Sequence, residues 1–174
     1  PMSEYRAKLR SAAEAVSVIK SGDWVDYGMT LSQPMLLDEA LAKRKGELKD
    51  VKIRGTLAVA PRQVVETDPD RDTFTYCCWH FGGYERKLQE RNLCNFIPMV
   101  YRNKPSFYRN HLEVDVAMIM TPPMDKHGYF NFSLTNSATR AILETARTVI
   151  VEVNDQPPVA LGGREECIHI SEVD

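Results

Sequence analysis

The fold is decided by one stretch of the sequence, Val114-Asp-Val-Ala-Met-Ile-Met120, whose last five residues are all apolar. An uninterrupted apolar run of this kind is typical of a central parallel strand that is covered on both faces. A second such run, Thr148-Val-Ile-Val-Glu-Val153, follows a helical pattern that Asn136 or Ser137 can cap and that ends at Arg147. Because strand, helix and strand joined by a right-handed crossover make a parallel sheet, we predict an α/β fold. The expected architecture is an open, mainly parallel sheet with helices on both faces.

The first part of the chain shows the same kind of alternation. Ser11 and Glu14 have the spacing of a capping box, which predicts a helix that ends at Gly22. A β-type run at residues 24–27 leads through a loop to Pro34, a residue favoured in the first turn of a helix. Two more strands are predicted, at residues 51–60 and 74–79. We expect one compact domain over residues 1–174.

Composition limits the classes of protein to which the chain can belong. Its 174 residues carry 22 Lys and Arg against 24 Asp and Glu, a net charge of −2, and this balance argues against a nucleic-acid partner. No apolar run approaches the roughly 20 residues that span a bilayer, and the N-terminus lacks the apolar core of a signal peptide. The four cysteines include no C-x-x-C pair, so we expect a reduced, intracellular protein without a zinc site.

Three loops are expected at the carboxyl edge of the sheet, where open parallel sheets bind ligands: residues 28–33, 121–128 and 154–163. The first runs from a strand into a helix N-terminus, whose free amides and dipole favour a carboxylate or a phosphate. The alternative is that Ser32 caps the helix and that Gly28 turns the chain.

Two histidines lie in patterns that could carry chemistry. Cys78 and His80 share a face of their strand and could form a nucleophile pair, but a satisfied buried histidine or a loop anchor is the favoured interpretation. Asp125 and His127 could ligate a metal, but the favoured interpretation is a turn built by Pro122-Pro123 and Gly128 in which Asp125 and His127 hydrogen-bond the backbone. Phosphate-binding and nucleophile-elbow motifs are absent from the sequence.

Longer motifs occur in a fixed order along the chain. They are Ser21-Gly-Asp-Trp-Val-Asp-Tyr-Gly28, Trp79-His80 with Glu85-Arg86-Lys87, Pro123-Met-Asp-Lys-His-Gly-Tyr-Phe-Asn-Phe132, Val149-Ile-Val-Glu-Val-Asn154, Leu161-Gly-Gly163 and Ile168-His-Ile-Ser171. Over residues 8–174 this series closely resembles the N-terminal half of the acetyl-CoA hydrolase/transferase family. Within the family it looks most like the butyryl-CoA:acetate CoA-transferases, with the 4-hydroxybutyrate CoA-transferases as near relatives.

The resemblance implies a CoA-transferase-like fold and a reaction. Coenzyme A would move from a short-chain acyl-CoA, such as butyryl-CoA, to a carboxylate such as acetate, through a glutamyl-CoA thioester. In the family this glutamate belongs to the second half, so we expect the catalytic domain beyond Asp174 and no catalytic residue within residues 1–174. Neither Glu85 nor Glu152 is assigned that function.

The resemblance also implies substrate-binding residues, namely Gly28, Met29, Thr30, Ser32, Gln33 and His80. The 4-hydroxybutyrate relatives have a histidine where this chain has Met29, and the apolar side chain suits an unsubstituted acyl chain. Coenzyme A is expected as a substrate, with no tightly bound cofactor and no metal. The expected partners are acyl-CoA, short carboxylates and the C-terminal half of the enzyme, in a cytoplasmic homo-oligomer. Two alternatives stay open: an acyl-CoA (acetyl-CoA) hydrolase, and a non-catalytic subunit that binds CoA or a partner.

Overall fold

The computed structural model describes all 174 residues, which build one main sheet and one small sheet. The strands of the main sheet are β1 (Trp24–Met29), β2 (Val51–Thr56), β3 (Phe74–Cys78), β4 (Asn95–Phe96), β5 (Val116–Thr121) and β7 (Thr148–Val153). All six pair in parallel, in the order β4-β3-β2-β1-β5-β7. The small sheet is an antiparallel pair, β6 (Tyr129–Asn131) and β8 (Cys167–His169). The predicted open, mainly parallel α/β sheet is therefore confirmed.

Helices cover both faces of the main sheet. They are α1 (Met2–Lys8), α2 (Ala12–Val16), α3 (Leu36–Ala42), α4 (Gln63–Glu66), α5 (Gly83–Glu90), α6 (Lys104–Asn110) and α7 (Thr139–Thr145). One apolar core joins α2, α3, α4 and α5 to the sheet, and a second core joins α6, α7 and the β6–β8 pair to the opposite face. None of these helices has the length and apolar character needed to cross a membrane.

The strand that decides the fold divides its side chains between the two cores. Val116 and Met118 of β5 lie in the first core, whereas Ala117 and Ile119 lie in the second. Every residue of β5 is buried. This alternation is what a central strand with both faces covered requires, and it explains the uninterrupted apolar run.

The helix boundaries differ from the predicted ones. The capping box is present, because Ser11 Oγ accepts from the Glu14 amide at 3.3 Å and the Glu14 carboxylate accepts from the Ser11 amide at 2.9 Å. However, α2 ends at Val16, well before Gly22. The predicted caps of α7 are wrong, since Ala138 holds the N-cap position and neither Asn136 nor Ser137 caps the helix.

A buried ion pair crosses the centre of the main sheet. Arg54 Nε lies 3.2 Å from Asp26 Oδ2, and both residues are almost fully buried. The Tyr108 hydroxyl of α6 donates to the same Asp26 oxygen at 2.5 Å. The Arg54 guanidinium also lies 4.5 Å from the centroid of the Trp24 ring. The pair thus joins β1, β2 and α6.

Burial shifts the pKa values of two side chains near this ion pair, Tyr108 and Lys104. Burial and the adjacent Asp26 carboxylate raise the pKa of the Tyr108 hydroxyl well above its usual value. Lys104 Nζ donates to Thr56 Oγ1 at 2.7 Å. Burial lowers the pKa of the Lys104 ammonium, and the charge of Asp26 opposes part of that change. The cluster therefore holds two cations around a single buried carboxylate.

We predict that Arg54→Met lowers the free energy of unfolding by about 3–5 kcal/mol, because the Asp26 charge is left buried without its partner. Arg91→Met is the matched control, since Arg91 pairs with Glu66 at the surface and should cost less than about 1 kcal/mol. Urea unfolding measures both values. The double variant Asp26→Asn/Arg54→Met should recover part of the loss, and an equal loss in the single and double variants would contradict this explanation.

Candidate functional site at the switch point of the sheet

The order of the strands reverses direction at β1. Strands β2, β3 and β4 follow one another on one side of β1, whereas β5 and β7 lie on the other side. In open parallel sheets, ligands bind beyond the carboxyl ends of the strands at such a point. Gly28, near the end of β1, has a φ of +67° and faces Ile119 of β5. The candidate site therefore lies where the chain leaves β1, at the loop of residues 28–33.

This loop is tied to the segment that precedes α7. Ser32 Oγ donates to the carbonyl of Phe132 at 3.0 Å, and the Ser32 amide donates to Thr135 Oγ1 at 3.2 Å. The Thr135 hydroxyl in turn donates to the Met29 carbonyl at 3.1 Å. Ser32 thus holds the loop in place, and the alternative that it caps the following helix is wrong.

The helix after the loop is capped from another strand. The Glu152 carboxylate of β7 accepts from the Met35 amide at 3.1 Å and from the Leu37 amide at 3.0 Å. Accordingly α3 begins at Leu36, and Pro34 precedes its N-cap instead of occupying its first turn. A carboxylate at a helix N-terminus also interacts favourably with the helix dipole. Glu152 therefore has a structural function in this fold.

Strained backbone is concentrated around the candidate site. Seven non-glycine residues have a positive φ, and four of them lie in the loops at this edge: Thr30, Leu57, Ser133 and Ser137. A residue with a side chain pays about 1–2 kcal/mol for the left-handed conformation. Observed strain of this kind clusters at functional sites, where surrounding contacts maintain it.

Two polar side chains of the loop keep buried oxygens without a protein partner. These atoms are Thr30 Oγ1 and Gln33 Oε1, while Gln33 Nε2 donates to the Thr56 carbonyl at 3.3 Å. Buried polar groups are normally hydrogen-bonded, so atoms of this kind are candidates for bonds to a ligand or to water. The loop thus combines strain with unused hydrogen-bonding capacity.

Met29 has a neighbour that the sequence did not indicate. The Tyr101 hydroxyl donates to Ser137 Oγ at 2.8 Å and lies 3.8 Å from Met29 Sδ. Tyr101 belongs to a short 3₁₀ turn (Tyr101–Asn103) that leads into α6. It therefore brings an aromatic side chain from a distant part of the sequence to the candidate loop.

His80 lies apart from this loop, because β2 separates its strand from β1. Its side chain is exposed, so the interpretation as a buried histidine is wrong. Its carbonyl accepts from the Leu57 amide at 3.2 Å and from the Cys78 thiol at 3.1 Å, so the backbone serves as the loop anchor. Burial raises the pKa of the Cys78 thiol to about 11, which disfavours the thiolate that a nucleophile pair requires.

Glu85 organises two further loops at the same edge. Its fully buried carboxylate accepts from the Ala58 amide at 2.5 Å and from the Gly82 amide at 2.9 Å. These amides belong to the loops that follow β2 and β3. The carboxylates of both Glu85 and Glu152 thus accept hydrogen bonds from backbone amides and hold loops or helix ends in place.

The Asp125–His127 segment forms a turn. Asp125 Oδ1 accepts from the amides of His127 at 2.9 Å and Tyr129 at 2.8 Å, and these backbone hydrogen bonds lower the pKa of the carboxyl group. The turn interpretation is therefore confirmed for Asp125.

The loops at the carboxyl edge expose several apolar side chains: Leu31, Val59, Val100, Leu134, Val159 and Leu161. Leu161 is 91% exposed. Apolar surface of this kind marks sites at which proteins interact with a partner or a ligand. The edge that carries the candidate loop is thus also suited to contact with another domain.

The structure is that of an α/β domain whose candidate ligand-binding site lies at the switch point of a parallel sheet. The family model of the acetyl-CoA hydrolase/transferase N-terminal domain matches residues 2–174. The chain therefore belongs to that family.

Similar proteins include two bacterial enzymes and one solved structure. The chain is 48% identical over 172 residues to butyryl-CoA:acetate CoA-transferase of Anaerostipes caccae. This match covers 98% of this chain and 39% of that protein. It is 46% identical over 174 residues to the probable butyrate:acetyl-CoA coenzyme A-transferase of Syntrophomonas wolfei. This match covers 99% of this chain and 39% of that protein. The crystal structure of RipA from Yersinia pestis superimposes with a TM-score of 0.89 at 30% identity, covering 99% of this chain and 42% of RipA. The chain thus spans about two fifths of the length of these proteins.

We predict that Glu85→Gln loosens the loops after β2 and β3. The amide side chain offers one acceptor where the carboxylate offers two, so a buried backbone N–H loses its partner at a cost of about 1–3 kcal/mol. Hydrogen exchange at Ala58 and Gly82 should accelerate in this variant. Glu90→Gln, on the exposed face of the same helix, is the control. Unchanged exchange at both amides would show that Glu85 does not hold the loops.

Proposed function

We propose that the protein to which this chain belongs transfers coenzyme A from a short-chain acyl-CoA, butyryl-CoA in particular, to a carboxylate such as acetate. The observation that carries the proposal is the 48% identity, over 98% of the chain, with an enzyme named butyryl-CoA:acetate CoA-transferase. In this proposal the chain is the N-terminal domain of a longer enzyme, a CoA-transferase. Coenzyme A is a substrate, and no tightly bound cofactor takes part.

The proposed reaction proceeds through a glutamate in a second domain beyond residue 174. Its carboxylate attacks the acyl-CoA carbonyl and expels the CoA thiolate, which gives a mixed anhydride. The thiolate then attacks the glutamyl carbonyl, releases the acyl group as a carboxylate and forms an enzyme thioester. An acceptor carboxylate such as acetate reverses the sequence and leaves as its CoA thioester. Dividing the transfer into such steps is the benefit of covalent catalysis.

Residues 1–174 would contribute one wall of the pocket between the two domains. We propose that Gly28, Met29, Thr30, Ser32, Gln33 and His80 bind substrate. The positive φ at Thr30 and the unpartnered oxygens of Thr30 and Gln33 support this for the loop. For His80 the support is its exposed side chain on a loop at the same edge. The apolar side chains exposed at this edge support docking of the second domain there. We further propose a cytoplasmic homo-oligomer.

A chimera tests the reaction. This chain replaces the matched 172 residues of the Anaerostipes caccae enzyme, and butyryl-CoA is supplied with acetate. We expect acetyl-CoA to form, and borohydride trapping to modify one glutamate outside residues 1–174. The chain alone is the control and should show no turnover.

The other outcomes separate the alternatives. Release of free CoA at the same rate with and without acetate would favour an acyl-CoA hydrolase. A folded but inactive chimera would contradict the proposed reaction and favour a non-catalytic subunit.

We predict that Met29→His in the active chimera shifts specificity toward 4-hydroxybutyrate. The imidazole can hydrogen-bond the substrate hydroxyl, a gain of about 1 kcal/mol that corresponds to roughly a fivefold change in the ratio of kcat/KM for 4-hydroxybutyrate over butyrate. Met35→His, an exposed position shortly after the same loop, is the matched control and should leave the ratio unchanged. An unaltered ratio in Met29→His would refute the assignment of Met29 to the acyl pocket.

A further inference from the structure

Lys104 is a buried cation whose hydrogen-bond partner is a neutral hydroxyl. Its side chain is only 2% exposed, and its ammonium donates to Thr56 Oγ1 at 2.7 Å. A lysine ammonium has three donors and no acceptor, so the hydroxyl of Thr56 uses only part of its hydrogen-bonding capacity. Charges that are buried in proteins are normally paired with an opposite charge. The environment of Lys104 therefore favours an anion beside it.

The carboxylate nearest to this ammonium in the buried cluster already has its own partners. Asp26 Oδ1 accepts from the Gly28 amide at 3.1 Å. Asp26 Oδ2 accepts from the Tyr108 hydroxyl at 2.5 Å and pairs with Arg54 Nε at 3.2 Å. Asp26 thus compensates the charge of Arg54, and Lys104 gives the cluster an excess positive charge.

This excess charge lies next to the candidate loop. Thr56 is the last residue of β2 and the register partner of Met29 on β1, and its carbonyl accepts from Gln33 Nε2 at 3.3 Å. Lys104 directly follows the 3₁₀ turn that brings the Tyr101 hydroxyl to 3.8 Å from Met29 Sδ. The ammonium is therefore connected to the loop through the end of β2 and through this turn.

The site suits a small anion with a single charge. One buried ammonium compensates one negative charge and acts on it as a point charge, whereas the several charges of the CoA phosphates need more than one cation. Met29 offers an apolar contact beside it. A single negative charge with a short apolar tail is the chemistry of a short aliphatic carboxylate, the class to which the proposed acceptor belongs.

We propose that Lys104 is a specificity-determining residue whose positive charge attracts the carboxylate of the acceptor to the candidate loop. The inference rests on the proposed function, because the acceptor carboxylate belongs to the proposed reaction. Charges interact over several ångströms where water is excluded, so the ammonium favours acetate over a neutral molecule of the same shape, such as acetamide.

The kinetics of the chimera test this proposal with two variants of Lys104. Lys104→Met removes the charge, and Lys104→Gln removes the charge but can still donate to Thr56 Oγ1. We expect both variants to raise the KM for acetate at least about tenfold. The kcat and the KM for butyryl-CoA should change less than about twofold. Lys43→Met, the same substitution at an exposed lysine, is the matched control and should leave all three values unchanged.

A binding measurement tests the anion site without turnover. We expect acetate to raise the thermal midpoint of the chimera more than acetamide does at equal concentration and equal ionic strength, since a ligand stabilises the state that binds it. This difference should be absent in Lys104→Met and Lys104→Gln and present in Lys43→Met. An inactive chimera that showed the difference would contradict the proposed reaction and support the anion site, so the two failures are distinguishable.

Three results would overturn the proposal. The first is an unchanged KM for acetate in folded Lys104→Gln, which decides the matter if Lys104→Met does not fold. The second is an equal rise in the KM values for acetate and butyryl-CoA, which would assign the charge to CoA. The third is a lowered urea midpoint in Lys104→Met with an unchanged KM for acetate, which would make the residue structural. We expect that midpoint to stay unchanged or to rise, because an apolar side chain replaces a buried charge without a carboxylate partner.

Discussion

The buried ion pair between Asp26 and Arg54 is the interaction on which the arrangement of the site depends. The two residues are register partners on β1 and β2, and each needs the other because an unpaired charge in the interior is costly. A slip of β1 by one residue relative to β2 would turn Asp26 to the opposite face, which is filled by an apolar core, and would leave Arg54 without its partner. The pair therefore fixes the register of the two strands, and Tyr108 attaches α6 to the same point.

The position of the candidate loop follows from that register. The Gly28 amide donates to Asp26 Oδ1 at 3.1 Å, so the carboxylate that pairs with Arg54 also holds the end of β1. Between Asp26 and Met29 the register to β2 shifts, and the chain then enters the strained conformation at Thr30. The hydrogen bonds of Ser32 and Thr135 maintain this strain from outside the strand. A loop held from both ends keeps one conformation, which is the preorganisation that a binding site requires.

Local patterns predicted the parts of the fold that local physics determines. The apolar runs of β5 and β7 report burial on both faces, and the Ser11–Glu14 box is a contact over three residues. The end of α2 and the cap of α3 were missed. For α3 the reason is the separation along the sequence, because the Met35 amide at its N-terminus donates to Glu152, a residue 117 positions away. Ser32 and Thr135, which are hydrogen-bonded, are likewise 103 residues apart in the sequence. Tyr101 and Met29, which are also in contact, are 72 residues apart. The strand-loop-helix pattern already predicted the loop of residues 28–33, whereas only the structure revealed the contacts that hold it.

The two open surfaces of the domain are connected through Glu152. This residue belongs to β7, whose outer edge is unpaired, and its carboxylate holds the first amides of α3, the helix that follows the candidate loop. The carboxyl-edge loops, in contrast, offer apolar side chains, which suit a folded domain. Glu152 thus links the outermost strand of the main sheet to the start of the helix that follows the candidate loop.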